Sequence, residues 1–209
     1  STRKESSAAS DVYKRQDQGL SWGPAFDGRD VEYYDGTIRP YEAVENNFRE
    51  AFNKGFNSNT NIAVSGGNEK TTFYTSLSYK HANGTTPNNS FDRLSLLAKA
   101  THQLTSKVNI EASMSFANST PRNSPINMGE NFASGVWSRS YDPSTARDKY
   151  KGTHGGQASA SYGDQWGNMP GLSTWWSIFE NDYRQKETSV RPSVKINADL
   201  TDWLKFNVE

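Results

Sequence analysis

The chain has 209 residues, 33% hydrophobic and 12% aromatic, with 23 Lys+Arg balanced by 23 Asp+Glu. Zero net charge without a basic stripe excludes a nucleic-acid-binding face, and the absence of cysteine excludes disulfide frameworks and thiolate metal sites. Low apolar content with many aromatics fits half-wet antiparallel sheet better than a two-sided α/β core.

Residues 1–16, STRKESSAASDVYKRQ, are polar and patternless. They read as a non-native or disordered lead outside the fold, the alternative being a native flexible tail. The chain has no initial Met and stops in mid-pattern at KFNVE, so it reads as an internal fragment. Residues 17–57 carry Trp22-Gly23-Pro24, Asp27-Gly28 and Asp35-Gly36-Thr37, which are turn signals. Val44, Phe48 and Phe52 are spaced for a short helix over 40–53.

Two-residue alternation starts at Asn59, with Thr60, Ile62 and Val64 against Asn61, Ala63 and Ser65. A tight turn at Gly66–Lys70 leads to a strand over 71–83, with Phe73, Leu77 and Tyr79 on one side and Tyr74, Ser76 and Ser78 on the other. A longer connection, Asn83–Asn89, leads to a strand over 91–104. A turn at Thr105-Ser106 then opens the strand Lys107–Asn118. Here Val108, Ile110, Met114 and Phe116 alternate with Asn109, Glu111, Ser113 and Ser115. Twelve residues rise about 40 Å. Tilted by about 45° they cover about 28 Å, close to the apolar band of an outer-membrane barrel.

The alternation pauses over the 69 residues 119–187, then resumes through Val190, Pro192, Val194 and Ile196. A turn at Thr201-Asp202 begins a last strand with Leu204, Phe206 and Val208. Pro192 lacks an N–H, so it belongs near a strand end or at an edge. Short turns thus alternate with long connections, the rule for barrels with short periplasmic turns and long outer loops. No run approaches the 18 apolar residues of a membrane helix, which leaves strands as the means of crossing. The fold class expected is all-β: about six strands of a larger antiparallel transmembrane barrel over 58–209, with one long outer loop over 119–187.

That loop holds ten aromatics and four of the six tryptophans, too many for a disordered linker. Trp137, Tyr141, Tyr162, Asp164, Trp166, Asn168, Trp175 and Trp176 are its candidate substrate-binding residues, since flat rings beside amides and carboxylates suit sugar faces and hydroxyls. The alternative is that the rings form the loop's own core or pack on a partner chain. Val108, Ile110, Met114, Phe116, Val194 and Ile196 are the candidates for facing lipid. Glu180 and Asp182, two residues apart, make a poor glycosidase pair, and His81, His102 and His154 are scattered beyond metal-ligand spacing. No catalytic residue, metal or cofactor is expected.

Three features together resemble a known family: the run Ala63–Tyr79, AVSGGNEKTTFYTSLSY; the pair Asn83-Gly84 with Ser90-Phe91-Asp92-Arg93; and Leu200-Thr201-Asp202-Trp203-Leu204. In order and spacing, over about 18–209, they are similar to SusC/RagA-type TonB-dependent outer-membrane receptors. Trp22-Gly23-Pro24 with Asp27-Gly28 resembles the end of that family's plug, so 17–57 would connect plug to barrel. The resemblance implies a 22-stranded barrel importing oligosaccharides or peptides, energised through TonB and capped by a SusD-like lipoprotein. The segment that touches TonB would lie upstream. The alternative reading is a soluble or surface-exposed glycan-binding sheet that uses the Trp-rich loop.

Overall fold

The computed structural model describes residues 24–123, 128–133 (backbone only at 131–133), 137–201 and 203–209. The expectations for 1–16, Trp22-Gly23 and Asp202 lie outside the described residues. The protein is mostly β. The described chain forms two units: 24–54 with Thr85–Asn88 and the described part of 125–182, and Gly55–Gly84 with 89–123 and Tyr183–Glu209.

Unit one begins with a hairpin of β1 (Asp30–Glu32) and β2 (Ile38–Pro40). The Asp35 carboxylate makes its turn by accepting from both the N–H and the hydroxyl of Thr37. The helix predicted over 40–53 shrinks to one turn, α1 (Asn47–Glu50). Pro40 is held in β2, and Asn46 adopts a left-handed φ of 55°, which bars helix before α1. Phe48 and Phe52 of the predicted stripe still meet, ring centroids 5.0 Å apart. Across the excursion lie α2 (Met128–Ala133), α3 (Pro143–Asp148) and α4 (Leu172–Glu180). Asp142 caps α3 by accepting the Ser144 N–H, with Pro143 in the first turn. Gly171 enters α4 at φ 80°, where a side chain would be strained.

The two sequence-distant parts of unit one share one core. Val31, Tyr33 and Tyr41 from the hairpin region are buried with Trp137, Tyr141, Leu172, Trp175 and Ile178 from the excursion. Each such large side chain contributes about 1.5–3 kcal/mol when fully buried. Polar bonds fix the register of this packing. Asn47 donates to the Ser138 carbonyl (2.8 Å), Arg139 donates to Asn47 Oδ1 (2.9 Å), and the Val44 N–H donates to the Arg139 carbonyl (2.8 Å).

Unit two is a six-stranded antiparallel sheet: β3 (Phe56–Gly67), β4 (Thr71–Asn83), β5 (Ser90–Thr105), β6 (Val108–Arg122), β7 (Glu187–Asp199) and β8 (Lys205–Val208). They lie in sequence order, and the sheet is open, with β3 and β8 as edges. Strand boundaries differ from expectation at several places. β3 starts at Phe56, three residues early, because it pairs with β4 as far as Asn83. β6 runs four residues past Asn118, because Ser119 and Thr120 keep their partners on β5 after the apolar pattern stops. The β5–β6 turn is Ser106-Lys107, with a register shift between Gln103 and Thr105. Pro192 lies in the middle of β7 opposite Met114. β8 pairs only with Ile196–Asp199, so at Pro192 β7 has no described outer neighbour and its missing N–H costs no ladder bond.

Register aligns the pattern across strands. Ile62 faces Leu77, Leu77 faces Leu96, Leu96 faces Phe116 and Phe116 faces Val190. Likewise His102, Ile110, Ile196 and Val208 form one row. One face therefore carries Val108, Ile110, Met114, Phe116, Val194 and Ile196 together. The connections at 68–70, 106–107 and 200–204 are at one end of the strands, and those at 84–89 and 123–186 at the other.

Candidate functional site

Unit one contains all eight predicted binding residues, and the structure separates them by burial. Tyr141, Trp137, Trp175 and Phe179 form a stacked column. Its successive centroids lie 5.8, 6.1 and 5.9 Å apart, with interplanar angles of 21°, 11° and 14°. Trp137, Tyr141 and Trp175 are buried, and the Tyr141 hydroxyl donates to the Pro170 carbonyl. Rings without surface cannot stack on a ligand, so these three are core residues and their predicted binding role is corrected.

Asp164 is corrected on the same ground. It is buried and accepts from the Thr153 N–H (3.1 Å), the Thr153 hydroxyl (2.9 Å) and the Ser159 N–H (3.2 Å). The backbone bond from Thr153 leads the causes that hold its pKa below the usual carboxylate range. Its role is to tie the 152–164 loop. Gly152 must be glycine here, since a Cβ would lie 2.3 Å from Asp164 Oδ2.

The remaining four reach the surface. Tyr162 is 71% exposed and stacks on His154 with centroids 4.6 Å apart. Trp166 is half-buried, its indole N–H donating to the Lys149 carbonyl (2.9 Å) and its ring lying 5.6 Å from Lys149 Nζ. Trp176 is half-buried against Tyr150 at 6.2 Å, and Asn168 is exposed.

Beside Trp176 the Glu180 carboxylate accepts from Lys151 Nζ (2.8 Å) and the Tyr150 hydroxyl (2.8 Å). The Lys151 bond, then the Tyr150 bond, lower its pKa. A carboxyl held ionised in this way is a poor general acid. Taken singly, these positions offer an exposed ring, two half-exposed indoles and hydrogen-bonding side chains, groups suited to contact with a polar ligand.

Unit two contributes a second arrangement on its polar face. Ser76, Leu97, Ser115 and Arg191 form one row across β4 to β7, and Ser78, Ser95, Ala117 and Ser189 form the next. Arg93 projects from β5 on the same face and donates to Ser95 Oγ (3.1 Å). Arg93, Arg191 and the serines line one concavity of about 310 Å³. On the same face Lys99 pairs with Glu111 at 2.9 Å. The alternation places Arg93 and Arg191 on this face, but only the register shows that they line a common hollow.

No protein-family model matches the chain, and no curated protein matches it.

Proposed function

We propose that the chain is part of a TonB-dependent outer-membrane transporter that imports oligosaccharides or peptides with a SusD-like lipoprotein as partner. The observation that carries this reading is the apolar face of the six-stranded sheet. Ile62 is 65% exposed, and Val190 and Val194 are each 57% exposed, on a face continuous from β3 to β8. Monomeric soluble proteins rarely expose so large an apolar patch. Barrel strands expose such a face to lipid and close on themselves, and the smallest barrels use eight strands. In this reading the sheet is an arc of a larger barrel, with Val108, Ile110, Met114, Phe116, Val194 and Ile196 against outer-membrane lipid. Short connections at one end and a 64-residue excursion over 123–186 at the other fit periplasmic turns and outer loops. Unit one would then present Tyr162, Trp166, Asn168 and Trp176 to ligand or lipoprotein. No described helix is long and apolar enough to cross a membrane, which has no bearing on strands.

The test is cell fractionation of the intact protein, with heat-dependent electrophoretic mobility as the sign of a closed barrel. Recovery in the outer-membrane fraction with a heat-modifiable band is the expected result. Recovery as a soluble monomer without detergent overturns the reading and favours a soluble glycan-binding sheet.

A further inference from the structure

Two guanidiniums line the concavity on the polar face, and neither has a carboxylate within ion-pair distance among the described residues. Glu111, on the same face, is taken by Lys99 at 2.9 Å, and Asp199 lies 3.9 Å from Lys205. The Glu209 carboxylate accepts from Ser193 Oγ (3.2 Å), beside Arg191 on this face but in no described ion pair with it, and the acidic position nearest Arg93 in register is Glu187. It sits two strands from Arg93, with Ser119 between them, and makes no described ion pair with it. Each Arg offers a planar fork of donors suited to an oxyanion. The serines between them add hydroxyl donors at Ser76, Ser95, Ser115 and Ser189. A hollow of about 310 Å³ is at the lower end of small-ligand pockets, about 300–1,000 Å³.

We propose that Arg93 and Arg191 form an anion site that takes a carboxylate of the transported ligand. That carboxylate is either a uronate of an acidic oligosaccharide or the terminal carboxylate of a short peptide. The proposal rests on the transporter reading, in which this face lines the lumen. It narrows the substrate to ligands that carry a carboxylate and assigns two residues to their selection. The guanidiniums fork the carboxylate oxygens, and the serine hydroxyls receive neighbouring hydroxyl or amide groups.

The experiment is calorimetric titration of the intact receptor, purified from membranes, with trigalacturonate, triglycine and neutral maltotriose. Wild type, R93Q/R191Q and R93K/R191K are compared at low and high salt. Loss of a hydrogen bond to a charged group implies at least a tenfold drop in affinity for the carboxylate-bearing ligand in the Gln variant. Partial retention in the Lys variant, weakening by salt and unchanged binding of maltotriose complete the expected result. Whichever carboxylate-bearing probe binds, trigalacturonate or triglycine, identifies the source of the carboxylate. The proposal is overturned if wild type binds neither carboxylate-bearing probe, or if the Gln variant binds as wild type does. It also fails if the Gln variant loses the carboxylate-bearing ligand and maltotriose equally. Heat-modifiable mobility confirms that each variant is folded. A failure of the transporter reading appears separately, as absence from the outer-membrane fraction.

Discussion

Ala112 lies at the centre of the apolar face, and two substitutions there distinguish what covers it. On β6 the apolar positions run from Val108 to Phe116, eight steps or about 26 Å at about 3.3 Å per residue. Ala112 is four steps from either end, and its cross-strand neighbours are Ala100 and Val194. Under lipid, Ala112→Arg places a charge near the midplane and costs about 2–4 kcal/mol. Ala112→Phe then costs nothing and gains a few tenths of a kcal/mol, because fluid tails make room and favour apolar groups. Under a packed protein surface the Phe variant overfills a fitted space and costs about 1–3 kcal/mol as well. In water both variants stay within about 0.5 kcal/mol of the parent. The assay is urea unfolding of the intact protein in phospholipid vesicles, with outer-membrane abundance as a second readout. A Phe variant destabilised by more than about 1 kcal/mol, or a silent Arg variant, refutes lipid contact.

Three further outcomes follow from unit one. Asp35 is 1% exposed at its side chain and lies 3.0 Å from Lys149 Nζ and 3.1 Å from Arg39 Nη2. Burial alone would raise its pKa, but the bonds from Thr37 and Lys149 and the charge of Arg39 outweigh burial and hold it at about 2. A lowered folded pKa stabilises above the unfolded value, so about 2 kcal/mol is lost as pH falls from about 4 to about 2. Acid titration of tryptophan fluorescence will show this, and Asp35→Asn will remove the step. Gly171→Ala strains a φ of 80° and sets a Cβ 2.5 Å from Trp137 Nε1, so it should cost about 1–3 kcal/mol by thermal unfolding. Tyr162→Ala should leave stability within about 0.5 kcal/mol, since the ring is exposed. If unit one holds ligand by stacking, it should weaken binding severalfold by calorimetry.

The sheet was legible because alternation is written residue by residue. Phe73, Leu77 and Tyr79 could be placed on one face without any partner in view. Strand ends were less legible wherever pairing outlasted the apolar pattern, as at Ser119 and Thr120 against β5. Unit one was hidden for a different reason. Its contacts join positions about a hundred residues apart, such as Asn47 with Ser138 and Asp35 with Lys149, and no local pattern announces them. The fates of Trp175 and Trp176 depended on helix phase. Trp175 and Trp176 are adjacent, yet α4 turns one into the core and leaves the other half-exposed. The spacing of Leu172, Trp175 and Ile178 carried that signal, as Asp142-Pro143 carried the start of α3. Reading the excursion as a loop left both unused.

The shared core of unit one has a consequence for synthesis and for exchange between proteins. Residues 24–54 are made long before Trp137 and Trp175, and the four strands β3 to β6 intervene. Val31, Tyr33 and Tyr41 must therefore wait, apolar and uncovered, until the chain has passed Ile178, a closure of high contact order. The excursion is equally dependent on the earlier segment. Grafted alone onto another sheet it would keep the Trp137–Trp175 column but lose the side of the core that Val31, Tyr33 and Tyr41 supply. The two stretches are one heritable module written in two places, and a functional exchange of this excursion must move both.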